Sequence, residues 1–74
     1  MNVRDLMKEI VEASGLSQAT IAKKAGYKGA SNVSECLRSK NMRVDNMVRI
    51  LKACGYEVII RSDKKGILDR KVEL

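Results

Sequence analysis

Residues 17–38 read SQATIAKKAGYKGASNVSECLR, and this stretch decides the fold. It contains two short segments with helical periodicity, separated by a connection rich in glycine. The first is predicted over residues 18–24 or 18–25, because Ser17 is a good N-cap and Gly26 a good C-terminal cap. The second is predicted from about residue 30 to residue 38. Its apolar face consists of Ala30, Val33, Cys36 and Leu37.

Two short helices joined by a tight glycine-containing turn form the helix-turn-helix unit. This unit needs a small residue where the helices cross, and Ala22 lies there. It needs a residue that tolerates positive φ in the turn, which Gly26 supplies. It also needs aliphatic anchors on the second helix, and Val33 and Leu37 meet that need. Since all three requirements are met together, the stretch predicts a helix-turn-helix.

The flanking sequence predicts two more helices and a β element. Apolar residues recur at helical spacing over residues 3–13, after a capping Asn2 and before Gly15. A fourth helix is predicted over residues 44–54, closed by Gly55. Its inward residues are predicted to be Met47, Val48, Leu51 and Cys54. Residues 56–62 are β-branched and predict a strand, residues 63–66 a turn, and residues 67–74 a second strand that would complete a hairpin.

Composition limits the chain to one domain, residues 1–74, with a marginal core that a partner subunit would stabilise. Zinc sites built from cysteine and histidine are excluded, because there are two cysteines and no histidine. Cys36 and Cys54 lie on apolar helical stripes, which favours buried free thiols over a disulfide. No signal peptide, membrane span or cofactor motif is visible, so we expect a cytoplasmic protein without a cofactor.

The positive charge is concentrated in the middle of the chain. Residues 17–54 carry eight basic and two acidic groups, net +6, and this equals the net charge of the whole chain. The other segments carry −1 (residues 1–16), −1 (residues 55–60) and +2 (residues 61–74). A concentrated excess of this kind predicts contact with a polyanion.

From residue 16 to about residue 60 the chain resembles the phage-repressor (Cro-like, or lambda-repressor-like) helix-turn-helix regulators. The later stretch VDNMVRILKACGY, residues 44–56, is similar to that family's fourth helix with its usual Gly-Tyr ending. The resemblance implies a mainly α fold of four to five short helices and sequence-specific binding of double-stranded DNA. The turn over residues 27–30 is about one residue longer than the family's commonest form, which leaves the start of the recognition helix open by one residue.

The recognition helix would be the segment of residues 30–38, with its N-terminal part in the major groove. If Val33 points inward, a rotation of about 100° per residue gives the residues that point outward. They are Ser31, Glu35 and Arg38, with Asn32 and Ser34 on the flanks. Ser31, Asn32 and Glu35 are predicted to contact base edges, and Arg38 a guanine or a phosphate. The predicted phosphate contacts are Gln18, Thr20, Lys28, Ser39 and Lys40.

Each of these assignments has a plainer alternative. Glu35 can only exclude mismatched DNA or pair with a neighbouring basic residue, and Ser31 and Asn32 can simply cap their helix. Four basic residues are assigned to a solvated face. These are Lys23, Lys24, Arg49 and Lys52.

The apolar run at Tyr56, Val58 and Ile60 predicts a homodimer that pairs through its C-terminal strand, because an isolated hairpin is marginal in water. The alternative is a hairpin folded back on its own helices.

The leading function is a DNA-binding regulator, most simply a repressor. An antitoxin that binds a toxin protein through residues 61–74 and autoregulates is a second reading, and a protein-interaction module without DNA a third. Enzymatic activity is disfavoured, since no nucleophile–base pair or phosphate-binding glycine loop can be assembled.

Overall fold

The computed structural model describes residues 2–63 and 70–72. In this part of the chain four helices are followed by a small antiparallel hairpin, so the fold is mainly α as predicted. The elements are α1 (Val3–Ser14), α2 (Gln18–Ala25), α3 (Ala30–Arg38), α4 (Val44–Ala53), β1 (Ile59–Ile60) and β2 (Arg70–Lys71). No helix formed by the described residues is long and apolar enough to cross a membrane.

The first two helices begin at the predicted caps. Asn2 Oδ1 accepts a hydrogen bond from the Asp5 N–H at 2.8 Å, and Ser17 Oγ accepts one from the Thr20 N–H at 3.1 Å. Each bond satisfies one of the backbone donors that a helix N-terminus leaves without an intrahelical acceptor. Gly15 then ends α1 in the left-handed region, at φ 70°.

A Schellman motif ends α2. Gly26 adopts φ 82°, and the Tyr27 N–H reaches back to the Ala22 carbonyl at 2.8 Å. The helix therefore ends within two residues, and the N–H groups of these residues donate to carbonyls that would otherwise have no hydrogen-bond donor. α4 ends in the same way, with Gly55 at φ 91° and the Tyr56 N–H bonded to the Leu51 carbonyl at 2.9 Å.

The core lies where the four helices meet, and α2 packs against both α3 and α4. Its fully buried members come from every helix. They are Met7, Val11, Ile21, Ala22, Val33, Leu37 and Ile50. Val48 of α4 is also fully buried. Cys36 and Cys54 are free thiols, partly buried against this cluster, as predicted.

The inward face of α4 differs from the prediction, which omitted Ile50. Ile50 is 0% exposed, whereas Met47 and Leu51 are only partly buried. The reason is that the apolar residues of α4 form a wide face of the helix. Periodicity gives the width of such a stripe but does not fix which residue lies at its centre, which depends on where α2 crosses.

The hairpin pairs Ile59 with Lys71 and Ile60 with Arg70. An ion pair between Lys71 Nζ and Glu57 Oε1 at 3.3 Å lies beside this ladder. β1 is shorter than the strand predicted over residues 56–62. Tyr56 cannot join the ladder because its N–H closes the end of α4. Residues 64–69 and 73–74, which include most of the predicted turn and second strand, lie outside the described residues.

The two glycines of the α2–α3 connection allow a matched test of this turn. Gly26 has positive φ and Gly29 does not, and neither would bring an added Cβ within 4 Å of another atom. We expect Gly26→Ser to lower the free energy of unfolding by about 1–2 kcal/mol, the cost of a left-handed non-glycine residue. Gly29→Ser should be neutral or stabilising, because Gly29 is the N-cap of α3 and serine is a better cap. Urea denaturation measures both, and equal losses would contradict the role given to Gly26.

Candidate functional site

α3 presents a polar face to solvent. Val33 and Leu37 are buried, and Ser31, Glu35 and Arg38 lie on the opposite, exposed side. The structure therefore places these three residues as the helical rotation predicts. Asn32 and Ser34, predicted on the flanks, are partly buried.

The start of α2 lies beside this polar face. Gln18, Ser34 and Arg38 line one depression of about 220 Å³, together with Lys8 and Glu12 of α1. Gln18 and Arg38 were each predicted to contact DNA, and the fold places both beside the same depression. Lys8 was not predicted, because the sequence does not show which face of α1 borders α3.

Three of the predicted contact residues, Thr20, Asn32 and Ser39, already have hydrogen-bond partners within the chain. The Thr20 hydroxyl lies 2.9 Å from the Ser17 hydroxyl. Asn32 Oδ1 accepts a hydrogen bond from the Gly29 N–H at 3.2 Å, and the Asn32 N–H donates to the Gly29 carbonyl at 3.1 Å. Asn32 thus has the capping role that the sequence left open beside base contact. A bidentate contact with adenine would use the same oxygen, so Oδ1 would then have to accept two hydrogen bonds or release the one from Gly29.

A second depression, of about 250 Å³, lies between the end of α3 and the start of α4. Glu35, Ser39, Asn41 and Arg43 are among its lining residues. Ser39 Oγ accepts a hydrogen bond from the Asn41 N–H at 3.2 Å, which fixes the first turn of this loop. Arg43 was not among the predicted site residues. The basic run of residues 38–43 was the available signal, because it continues past Lys40 to Arg43.

Four cations precede, end or follow α3 along the chain. Lys28 precedes α3, Arg38 ends it, and Lys40 and Arg43 follow; all four are exposed. Among the residues that the structure describes, none of the four forms an ion pair with an acidic side chain. Their charge is therefore available to an external anion.

Tyr27 joins the α2–α3 connection to α4. Its hydroxyl donates a hydrogen bond to Asn46 Oδ1 at 2.7 Å. Burial raises the pKa of Tyr27 above 10.0, and the neighbouring Cys36 acts in the same direction, while Arg49 opposes both. Only the neutral phenol can donate this bond, so the hydrogen bond from Tyr27 to Asn46 is present at pH values below the pKa of Tyr27.

No family model, curated protein or solved structure matches the chain.

Tyr27→Phe tests this link. We expect the loss of the hydroxyl to lower the free energy of unfolding by about 1 kcal/mol, because it leaves Asn46 without its donor. The pKa of Tyr27 is higher in the folded than in the unfolded chain, so the wild type should also lose stability as pH rises past about 10. The variant should lack this part of the alkaline loss.

Tyr56→Phe is the matched control, because Tyr56 is 46% exposed and its hydroxyl has no partner among the described residues. Urea denaturation of both variants from pH 7 to pH 11 makes the comparison. Equal destabilisation by the two substitutions at pH 7 would contradict the role of the Tyr27 hydroxyl.

Proposed function

We propose that this chain binds double-stranded DNA sequence-specifically and acts as a transcriptional regulator, with α2 and α3 as its helix-turn-helix. One observation carries the proposal. The exposed polar side of α3 lies next to the start of α2, and the cations that precede, end and follow α3 form no ion pair with an acidic side chain among the described residues. Repression is the simplest mode of action, since a small DNA-binding chain can block access to a promoter without further domains.

The dimensions of α3 suit a major groove. An α-helix with its side chains is about 10–12 Å in diameter, and the groove is about 12 Å wide, so a helix such as α3 can lie in it. In the docked complex the first turns of α3 face the base edges, so Ser31 and Glu35 are the residues that read sequence. A serine hydroxyl can donate or accept, and a glutamate accepts from cytosine N4. Arg38, one turn further along, reaches a guanine or a phosphate.

Phosphate contacts flank α3 on both sides in this proposal. Gln18 and Lys8 line the depression on the side of α1 and α2, and Arg43 lines the depression on the side of α4, with Lys40 in the loop that leads to it. Contacts of this type fix the register of the protein on the duplex without reading its sequence. They also make binding depend on salt, because each neutralised phosphate releases counterions.

We further propose that two copies pair through the C-terminal hairpin. Tyr56, Ile59 and Ile60 are 46%, 46% and 66% exposed, although all three are large apolar residues. A two-stranded hairpin is marginal in water, and its open edge can be covered by the same edge of a second copy. A two-fold axis there would place two α3 helices on one face of a duplex, about 34 Å apart for half-sites one turn apart.

Two substitutions separate base contact from phosphate contact. Arg38→Ala should weaken binding by about 1–3 kcal/mol and relax preference at one base pair if Arg38 reads a guanine. Lys40→Ala should weaken binding to all duplexes nearly equally and lower the salt slope by about 1. Selection from a random duplex library, followed by titration at several salt concentrations, measures both effects.

Lys23→Ala is the matched control for these variants, because Lys23 is exposed on α2 and lines none of the depressions beside α3. It should leave base preference unchanged. A wild-type chain that shows no association with any duplex at low salt would refute the proposed function.

Ile60→Glu tests the dimer. We expect it to convert the protein to a monomer, because a carboxylate would then have to be buried at the interface. Val44→Glu is the control, since Val44 is 63% exposed but lies at the start of α4 rather than on the hairpin. Sedimentation equilibrium at micromolar concentration measures the oligomeric state of both variants, and circular dichroism shows whether their helices persist. A wild-type monomer under these conditions would rule out the dimer.

A further inference from the structure

A third depression, larger than the two beside α3, lies at the C-terminal ends of α2 and α4. It has a volume of about 600 Å³. Three basic side chains line it, namely Lys24, Arg49 and Lys52. The rest of the wall is formed by Ala25, Ala53, Cys54 and Gly55. The sequence assigns these cations to a solvated face, whereas the fold gathers three of them around one opening.

This depression is separate from the proposed DNA interface. It shares no lining residue with either depression beside α3. Gln18 and Lys24 lie near opposite ends of α2, about 9 Å apart along the helix axis at 1.5 Å per residue. A ligand bound here would therefore not occupy the polar face of α3.

The charge of the depression is positive even after the helix dipoles are counted. Two helix C-termini meet here, and each is equivalent to about −0.5 charge. Three side chains of unit positive charge outweigh them and leave about +2. No acidic residue lines the depression, and none of the three cations has an ion-pair partner among the described residues. The carbonyls of both helix ends are further occupied by the backbone N–H groups of the Schellman motifs.

We infer that this depression binds a small molecule with a phosphate or carboxylate group. The three cations would hold the anionic group, with Arg49 able to donate two parallel hydrogen bonds to its oxygens. The methyl groups of Ala25 and Ala53 offer apolar contact to the body of the molecule. A volume of about 600 Å³ lies within the range of small-molecule sites, about 300–1,000 Å³, and exceeds what an isolated inorganic ion would fill.

The test is an NMR titration of the full chain with phenyl phosphate, benzoate and inorganic phosphate, following backbone amides. We expect phenyl phosphate or benzoate to shift the amides of residues 24–25 and 52–55 along one saturable curve. Which of the two binds more tightly distinguishes a phosphate from a carboxylate ligand. Inorganic phosphate should bind more weakly than phenyl phosphate, because it lacks the apolar body.

Two double variants of equal charge complete the design. Arg49→Gln with Lys52→Gln should raise the dissociation constant at least about tenfold, the loss expected for one charge-assisted hydrogen bond. Arg4→Gln with Lys23→Gln removes one arginine and one lysine outside the depression and should leave the dissociation constant unchanged. Helical circular dichroism checks the fold of both pairs.

Three outcomes would overturn the inference. One is a set of shifts that grow linearly without saturation. The second is equal weakening in both double variants, which indicates a general charge effect. The third is an equally strong shift of the same amides by a DNA duplex, which would make the depression a nucleic-acid contact.

Discussion

The packing of α2 on α3 is the constraint on which the rest of the structure depends. Ala22 of α2 is buried in the core, and its carbonyl accepts the hydrogen bond of the Tyr27 N–H that closes the turn. One residue thus belongs to the core and to the turn between the two helices. The Tyr27 hydroxyl donates a hydrogen bond to Asn46, which links α4 to the same turn. The orientation of the polar side of α3 relative to Gln18 follows from these contacts.

The small core leaves apolar side chains that a partner could cover. The described residues bury a few aliphatic side chains and no polar ones. Three large apolar side chains of the C-terminal region remain outside this core, at Tyr56, Ile59 and Ile60. Their exposure costs the isolated chain about 25 cal/mol for each Å² of apolar surface left in water. Covering them would recover that free energy, and a second copy supplies a surface of the same kind.

Local signals in the sequence were sufficient to predict the helices. Caps such as Asn2 and Ser17 and the left-handed glycine at position 26 act within a few residues, so the sequence reveals them directly. The exposed arc of α3 followed from its periodicity for the same reason. Features that depend on contacts between distant segments were not predictable. The central position of Ile50, the place of Lys8 beside α3 and the gathering of cations at the far end of α2 each depend on how the helices pack.

The distribution of the basic residues also depends on how the helices pack. The sequence gives one basic segment, residues 17–54, and suggests one anionic partner. The fold divides that segment, because α2 separates Gln18 from Lys24 and its packing on α4 draws Arg49 and Lys52 to the second end. At physiological ionic strength the Debye length is about 8 Å, close to the separation of about 9 Å along α2. Exposed charges at one end are therefore largely screened from the other, so the two proposed anionic partners would not compete strongly through their charges. Coupling between the two proposed sites would have to act through the packing of α2 on α4 and through Tyr27, rather than through direct electrostatic interaction.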